Sequence, residues 1–292
     1  MGPSILAFVA TLAHASVDPA CVEVANAGPP ADYDEQSQQD FLQNYYALSS
    51  TLSPIHGPVP HEPGRGAVGL EIAALPPLPC ERRLVLGYTK TEDTNKAPAI
   101  PRPRVTVALP ALFDDRLVPY IGFAYVPPVT VAGVRNVIVS GEAGLGLRLG
   151  SWQVGARFHA TSHKTVGEVA TPFDPEDPAV DDLYLASTVG VDLLGGLSVG
   201  PLTPYVAVGL TDASTFFYIG DDGVVSNNLH PYFGVVGSAG VDALLAGRIR
   251  LGAELYAAPG GVSRPDPSAD TLRPVSRYGN LLTVRVRAAV EL

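Results

Sequence analysis

Charge is scarce in this chain. Only 16% of its 292 residues are Asp, Glu, Lys or Arg, against about 25% in ordinary soluble proteins. The formal net charge is −10 and no basic run occurs, which argues against a nucleic-acid partner. Cysteine appears twice, as Cys21 and Cys80. There is no zinc-ligand pattern, no phosphate-binding loop and no dinucleotide fingerprint, so no cofactor or metal is expected. No window reaches the roughly 18 consecutive apolar residues of a transmembrane helix, although 46% of the chain is hydrophobic. The 30 glycines and 28 prolines follow no period, which excludes collagen. Hydrophobicity is thus spread along the chain rather than gathered into a span.

What is present begins with an apolar stretch, Ile5 to Leu12, followed by Ala13-His14-Ala15. This reads as a signal peptide over residues 1–15, though without a basic start. Asp18 and Pro19 before Cys21 are not a lipobox. Residues 16–66 form a second region, rich in Pro, Ala, Asp and Gln. Its one convincing helix lies around Phe41, Tyr45 and Leu48, with Asp34 able to cap the start. "SPIHGPVPHEPGRG" then breaks the chain repeatedly.

From residue 67 to 292 the pattern becomes alternating. Strands are expected at 67–75, 102–110, 117–126, 135–149, 152–163, 182–194, 199–217, 229–245, 248–258 and 279–291. Several exceed the usual five or six residues and match the nine to eleven tilted residues that cross a bilayer. Long linkers follow the odd-numbered strands and short ones the even-numbered. "RRLVLGYT" (82–89) falls in the first long loop. That alternation predicts an all-β fold, an antiparallel up-and-down transmembrane barrel of about 10 strands, with 8 or 12 as alternatives. Twelve aromatics, among them Tyr120, Tyr125, Trp152, Tyr184, Tyr205, Phe217, Tyr218, Phe233 and Tyr256, fall near strand ends and read as two girdles.

The final strand, "LLTVRVRAAVEL", separates Leu282, Val284, Val286 and Val290 from Thr283, Arg285, Arg287 and Glu291. An arginine facing lipid near the midplane costs about 2–4 kcal/mol, so the polar parity is expected to face the lumen. The same rule assigns Glu142, Arg148, Arg157, His159, Asp192, Asp242, Arg250 and Glu254 to the lumen, with opposite charges on adjacent strands able to pair.

From about residue 67 onward the chain resembles small bacterial outer-membrane β-barrels. A helical, proline-broken segment ahead of the barrel also resembles the layout of fatty-acid-transporter-type barrels, which carry an N-terminal hatch in the lumen. The resemblance implies an exported protein of the bacterial outer membrane. Its partners would be membrane lipid, the barrel assembly machinery and a small solute, and it would be a monomer.

A ten-stranded barrel has little room. The expected function is a narrow or gated conduit for a small, apolar solute. The alternative is a non-transporting surface barrel whose long loops bind a ligand or partner. A hydrolase is a minor third reading. The acid pairs Asp114-Asp115, Asp181-Asp182 and Asp221-Asp222 lack a D-x-H partner, and in "FHATSHKT" His159 and His163 share the lumen parity while Ser162 points to lipid. If Cys21 pairs with Cys80, which sits just past the first strand, the N-terminal segment has only the lumen as its route. The helix then becomes a plug, and Arg285 and Arg287 can meet Asp34, Glu35 or Asp40.

Overall fold

The fold was analysed in a computed structural model. It describes residues 18–31, 33–92, 98–113, 116–131, 133–174, 176–177, 180–220, 223–226, 232–259, 262–263, 273–274 and 281–292. The signal-peptide reading over 1–15 lies outside these residues.

Ten long strands form the wall: β1 (Gly66–Ala74), β2 (Ala99–Ala108), β3 (Leu117–Val131), β4 (Val134–Leu149), β5 (Trp152–Gly167), β6 (Asp182–Leu197), β7 (Leu202–Ile219), β8 (Tyr232–Leu245), β9 (Ile249–Ala258) and β10 (Leu281–Glu291). Each pairs antiparallel with its sequence neighbour. The sheet closes where β1 meets β10, from Ala67↔Glu291 to Ala73↔Arg285. Closure removes the two edges that an open sheet would leave unpaired.

The wall is inside out relative to a soluble protein. Along β10 the residues alternate strictly between buried and exposed. Leu282, Val284, Val286 and Val290 are each about half exposed, whereas Thr283, Arg285 and Arg287 are buried. The same holds on β9, where Leu251 and Leu255 are exposed and Arg250 and Glu254 buried. An apolar belt outside and charges inside is the arrangement that hydrocarbon demands. The protein is a transmembrane β-barrel of the bacterial outer-membrane type.

Some expectations need correction. β3 and β4 run on into a two-residue connection instead of a long loop. Tyr120, Tyr184, Tyr205, Phe217 and Tyr256 face inward and are buried. Of the expected girdles, Tyr125, Trp152, Tyr218 and Phe233 are the exposed members among the described residues. Strand-end position alone cannot separate a girdle from a lumen lining, because both occur there.

The N-terminal region holds two helices where one was expected. The first, α1 (Pro19–Ala27), has Pro at its start and Asp18 as N-cap, accepting from Ala20 N–H at 3.1 Å. The second, α2 (Glu35–Ser50), is followed by an irregular segment, 51–65. A further short helix, α3 (Cys80–Arg83), lies in the first outer loop. Beyond it, Leu84–Val85, Lys90–Glu92 and Ala170–Pro172 make a small three-stranded sheet that ties the first outer loop to the third.

Candidate functional site: the occupied lumen

Inside the barrel lies the chain's own N-terminal segment. At the outer end, Gln38 donates to the Leu84 carbonyl at 3.2 Å. Tyr184 donates to the Gln43 carbonyl at 2.6 Å, and Thr215 to the Gln43 side chain at 2.7 Å. At the other end, Glu62 meets Arg148 at 3.0 Å, and Ala108 N–H donates to the Arg65 carbonyl at 2.8 Å. The segment therefore runs the length of the lumen before entering β1. Cys21 and Cys80 form a disulfide, which fixes the segment's far end to the first outer loop.

The middle of this path is held by four arginines. An α-helix ends with carbonyls that have no intrahelical partner and carry partial negative charge. Here every carbonyl from Leu48 to Ser53 accepts from a wall guanidinium. Arg285 donates to Leu48, Ser49 and Thr51, the last at 2.5 Å. Arg102 donates to Ser50 at 2.8 Å and to Thr51 at 3.4 Å. Arg157 donates to Leu52, and Arg104 to Ser53 at 2.9 Å. Arginine suits this role because its planar fork presents several donors at fixed angles.

Each guanidinium except that of Arg285 also has an acid. Glu71 pairs with Arg102 and, at 2.9 Å, with Arg104. Glu142 pairs with Arg104 at 2.5 Å and Arg157 at 2.7 Å, and Asp192 takes Arg157 at 2.6 Å. Arg285 instead lies over the Tyr256 ring, 4.2 Å from its centre. Wall groups satisfy the segment's donors as well: Glu254 accepts from Ile55 N–H at 2.9 Å, and Gln153 from Val59 N–H at 3.1 Å. The inner wall opposite Pro58 is glycine, and a Cβ on Gly146 would come within 2.3 Å of the Pro58 carbonyl oxygen.

Each residue assigned to the lumen can now be placed. Glu142, Arg157, His159, Asp192, Asp242, Arg250, Glu254, Arg285 and Arg287 are buried inside, and Arg148 sits half-exposed at the inner rim. Arg250 binds Asp242 at 2.5 Å and Glu291 at 2.6 Å, and Arg287 meets Asp242 at 3.5 Å. Tyr45 and Leu48 of α2 are buried, and Phe41 stacks under Arg82 at 5.3 Å. The expected pairing of Arg285 and Arg287 with Asp34, Glu35 or Asp40 is not what the geometry shows. Arg285 is taken by backbone carbonyls and Arg287 by Asp242. The helix presents its C-terminus, not its acidic start, to that depth. Sequence reading missed Glu71, Arg102 and Arg104, although all three share the inward parity of β1 and β2.

The hydrolase constellation does not assemble. Ser162 is exposed on the outer face. Thr165 and His163 lie 2.9 Å apart within an unbroken strand, and the threonine hydroxyl also reaches Asn136, to which it donates at 2.7 Å. His159 lies 3.6 Å from Asp192. Asp182 accepts from Val169 and Ala170 N–H, both at 2.8 Å, and serves as a loop cap. Asp114-Asp115 and Asp221-Asp222 lie outside the described residues. Among the described residues a cavity of about 20 Å³ remains at the outer end, between Leu42 and Tyr46 of α2 and Val85, Val169, Tyr184 and Phe217 around them.

No family model matches the chain, and no curated relative does. Solved structures similar to it are bacterial barrels. The translocator domain of the autotransporter NalP from Neisseria meningitidis is 11% identical with a TM-score of 0.42, covering 93% of this chain and 97% of that one. The toluene transporter TodX of Pseudomonas putida is 11% identical with a TM-score of 0.39, covering 84% and 81%. OmpT of Vibrio cholerae is 11% identical with a TM-score of 0.31, covering 70% of this chain, which spans 59% of OmpT's length. The barrel rests on this chain's own strand register.

Proposed function

We propose that the protein is a gated conduit for a small, apolar solute, and that the N-terminal segment is its gate. One observation carries this reading: the lumen is filled by a separate stretch of chain, held through backbone carbonyls and exchangeable side-chain bonds. A barrel that served only as a scaffold could fill itself with wall side chains, as narrow barrels do. Carbonyls released from arginine can be re-solvated by water entering the lumen, so opening the gate leaves no group without a partner. In this reading the protein is not an enzyme and needs no cofactor.

Planar-bilayer conductance tests it. The full chain should be nearly silent with rare brief openings, and removal of residues 16–64 should give a steady open level. A refolded barrel that stays silent without those residues would overturn the reading.

A further inference from the structure

The lipid-facing side of the wall carries little charge, and that charge is gathered in one place. Among the described residues of the ten strands, the outward parity holds three charged side chains: Arg135 on β4, Lys164 on β5 and Asp212 on β7. Between them runs a row of hydroxyls. Ser162 of β5 pairs with Ser187 of β6, and Ser187 with Ser214 of β7. Ser162 and Ser187 are exposed, and Ser214 is half-buried. Lys164 is the next outward residue above Ser162, and Asp212 the next below Ser214. Arg135 pairs with Val166, and Val137 with Lys164. The two cations are therefore diagonal neighbours on adjacent strands, close enough for long side chains to meet one ligand. Among the described residues no ion pair engages either of them.

The patch stands at a definite height. At about 3.3 Å per residue and a tilt of about 40°, the run from Trp152 to Ser162 rises about 25 Å, as does the run from Leu202 to Asp212. The apolar belt of such a barrel is about 25 Å tall, and Trp152 and Leu202 are exposed at its inner edge. The serine row therefore lies at the outer edge of the hydrocarbon. Lys164 and Arg135 lie just beyond it, where lipid headgroups begin. The outer ends of β8, β9, β10 and β1 carry Phe233, Ala257, Leu282 and Ala74 on the same parity. The polar edge thus belongs to one flank of the barrel, β4 to β7.

A flank of this composition selects the lipid beside it. Two cations without acids favour phosphate, arginine as a planar fork and lysine as a point charge. Lysine reaches the headgroup by laying its stem along the apolar wall. Serine hydroxyls and a carboxylate match sugar hydroxyls, which donate as well as accept. A headgroup that offers phosphate and sugar together satisfies both halves of the patch. We propose that this flank binds the headgroup of a phosphorylated glycolipid in the outer leaflet. Its phosphate sits on Arg135 and Lys164, and its sugar lies along Ser162, Ser187 and Ser214. Asp212 is two strands away from Lys164, at the sugar end, and so does not oppose the phosphate. The site is on the outside of the wall and stands whether or not the barrel conducts.

Native mass spectrometry of the full-length protein in detergent micelles doped with lipid A, a phosphorylated glucosamine lipid, tests the site. The parent should retain one lipid A per chain. Combining Arg135→Gln with Lys164→Gln should cut the bound fraction at least five-fold. Arg248→Gln, at an exposed inner turn, should leave it unchanged. Dephosphorylated lipid A should bind the parent as weakly as lipid A binds the double variant. Changing Ser162, Ser187 and Ser214 together to Ala should lower lipid A binding about two-fold. Every substituted side chain lies on the outer face, and retained gel mobility without boiling shows that each variant is folded. A double variant that binds like the parent overturns the site, as does equal binding of the phosphorylated and dephosphorylated lipids. An equal loss with Arg248→Gln would reduce the binding to unspecific charge attraction and overturn it too. Unchanged binding in the serine variant would overturn the placement of the sugar.

Discussion

At the residue scale, the barrel's interior is a set of charges that are affordable only together. Arg102 and Arg285 are fully buried, and each satisfies carbonyls that would otherwise lack partners. Changing Arg285 to Leu should cost about 1–3 kcal/mol for each group left unsatisfied. Limited proteolysis should then cut residues 51–65 in a barrel that still resists unfolding on a gel. Resistance equal to the parent's would remove the clamp from the account. The two parities of β9 separate cleanly. Leu251→Arg places a charge in lipid at about 2–4 kcal/mol and should block insertion. Arg250→Leu should insert, but it takes the shortest ion-pair partner from both Asp242 and Glu291 and should lower the urea midpoint. Similar behaviour of the two variants would mean the faces are misassigned. This parity was readable directly from "RIRLGAELYA" and "LLTVRVRAAVEL", because lipid tolerates no charge and alternation is local. The partners were not readable. Glu254, four residues from Arg250, serves Ile55 and Tyr205 instead, and only the register of distant strands decides that.

At the scale of elements, the wall was legible and its contents less so. Strand positions follow from a two-residue period and from turn residues, both local signals. The extension of β3 to Val131 past Pro127-Pro128 was not visible, since proline ordinarily ends a strand; here those residues face no partner. The start of α1 carried its own signal in Asp18-Pro19, a cap followed by a proline at the first helical position. Glycine on the inward parity makes room for the segment, as Gly146 under Pro58 does, but no local pattern marked it as such. What tethers the N-terminal segment is the Cys21–Cys80 disulfide, closing a separation of 59 residues for about 4 kcal/mol in the chain-entropy model. Replacing both cysteines with Ser should leave the β1–β10 closure intact and, if the segment is the gate proposed above, raise the open probability in bilayers. Unchanged gating would show that the arginines alone hold the segment.

For the molecule as a whole, the claim from which the rest follows is a topology. The N-terminal segment enters from the outer face, descends through the lumen and becomes β1 at the inner rim, so α1 lies on the outer side of the membrane. A specific protease site inserted between Pro29 and Pro30, in the exposed link between α1 and α2, reports this in intact cells. The account predicts that protease added outside cuts the chain, and that the released piece stays attached through Cys21–Cys80 until a reductant is added. A site that is cut only after the outer membrane is permeabilised would contradict it.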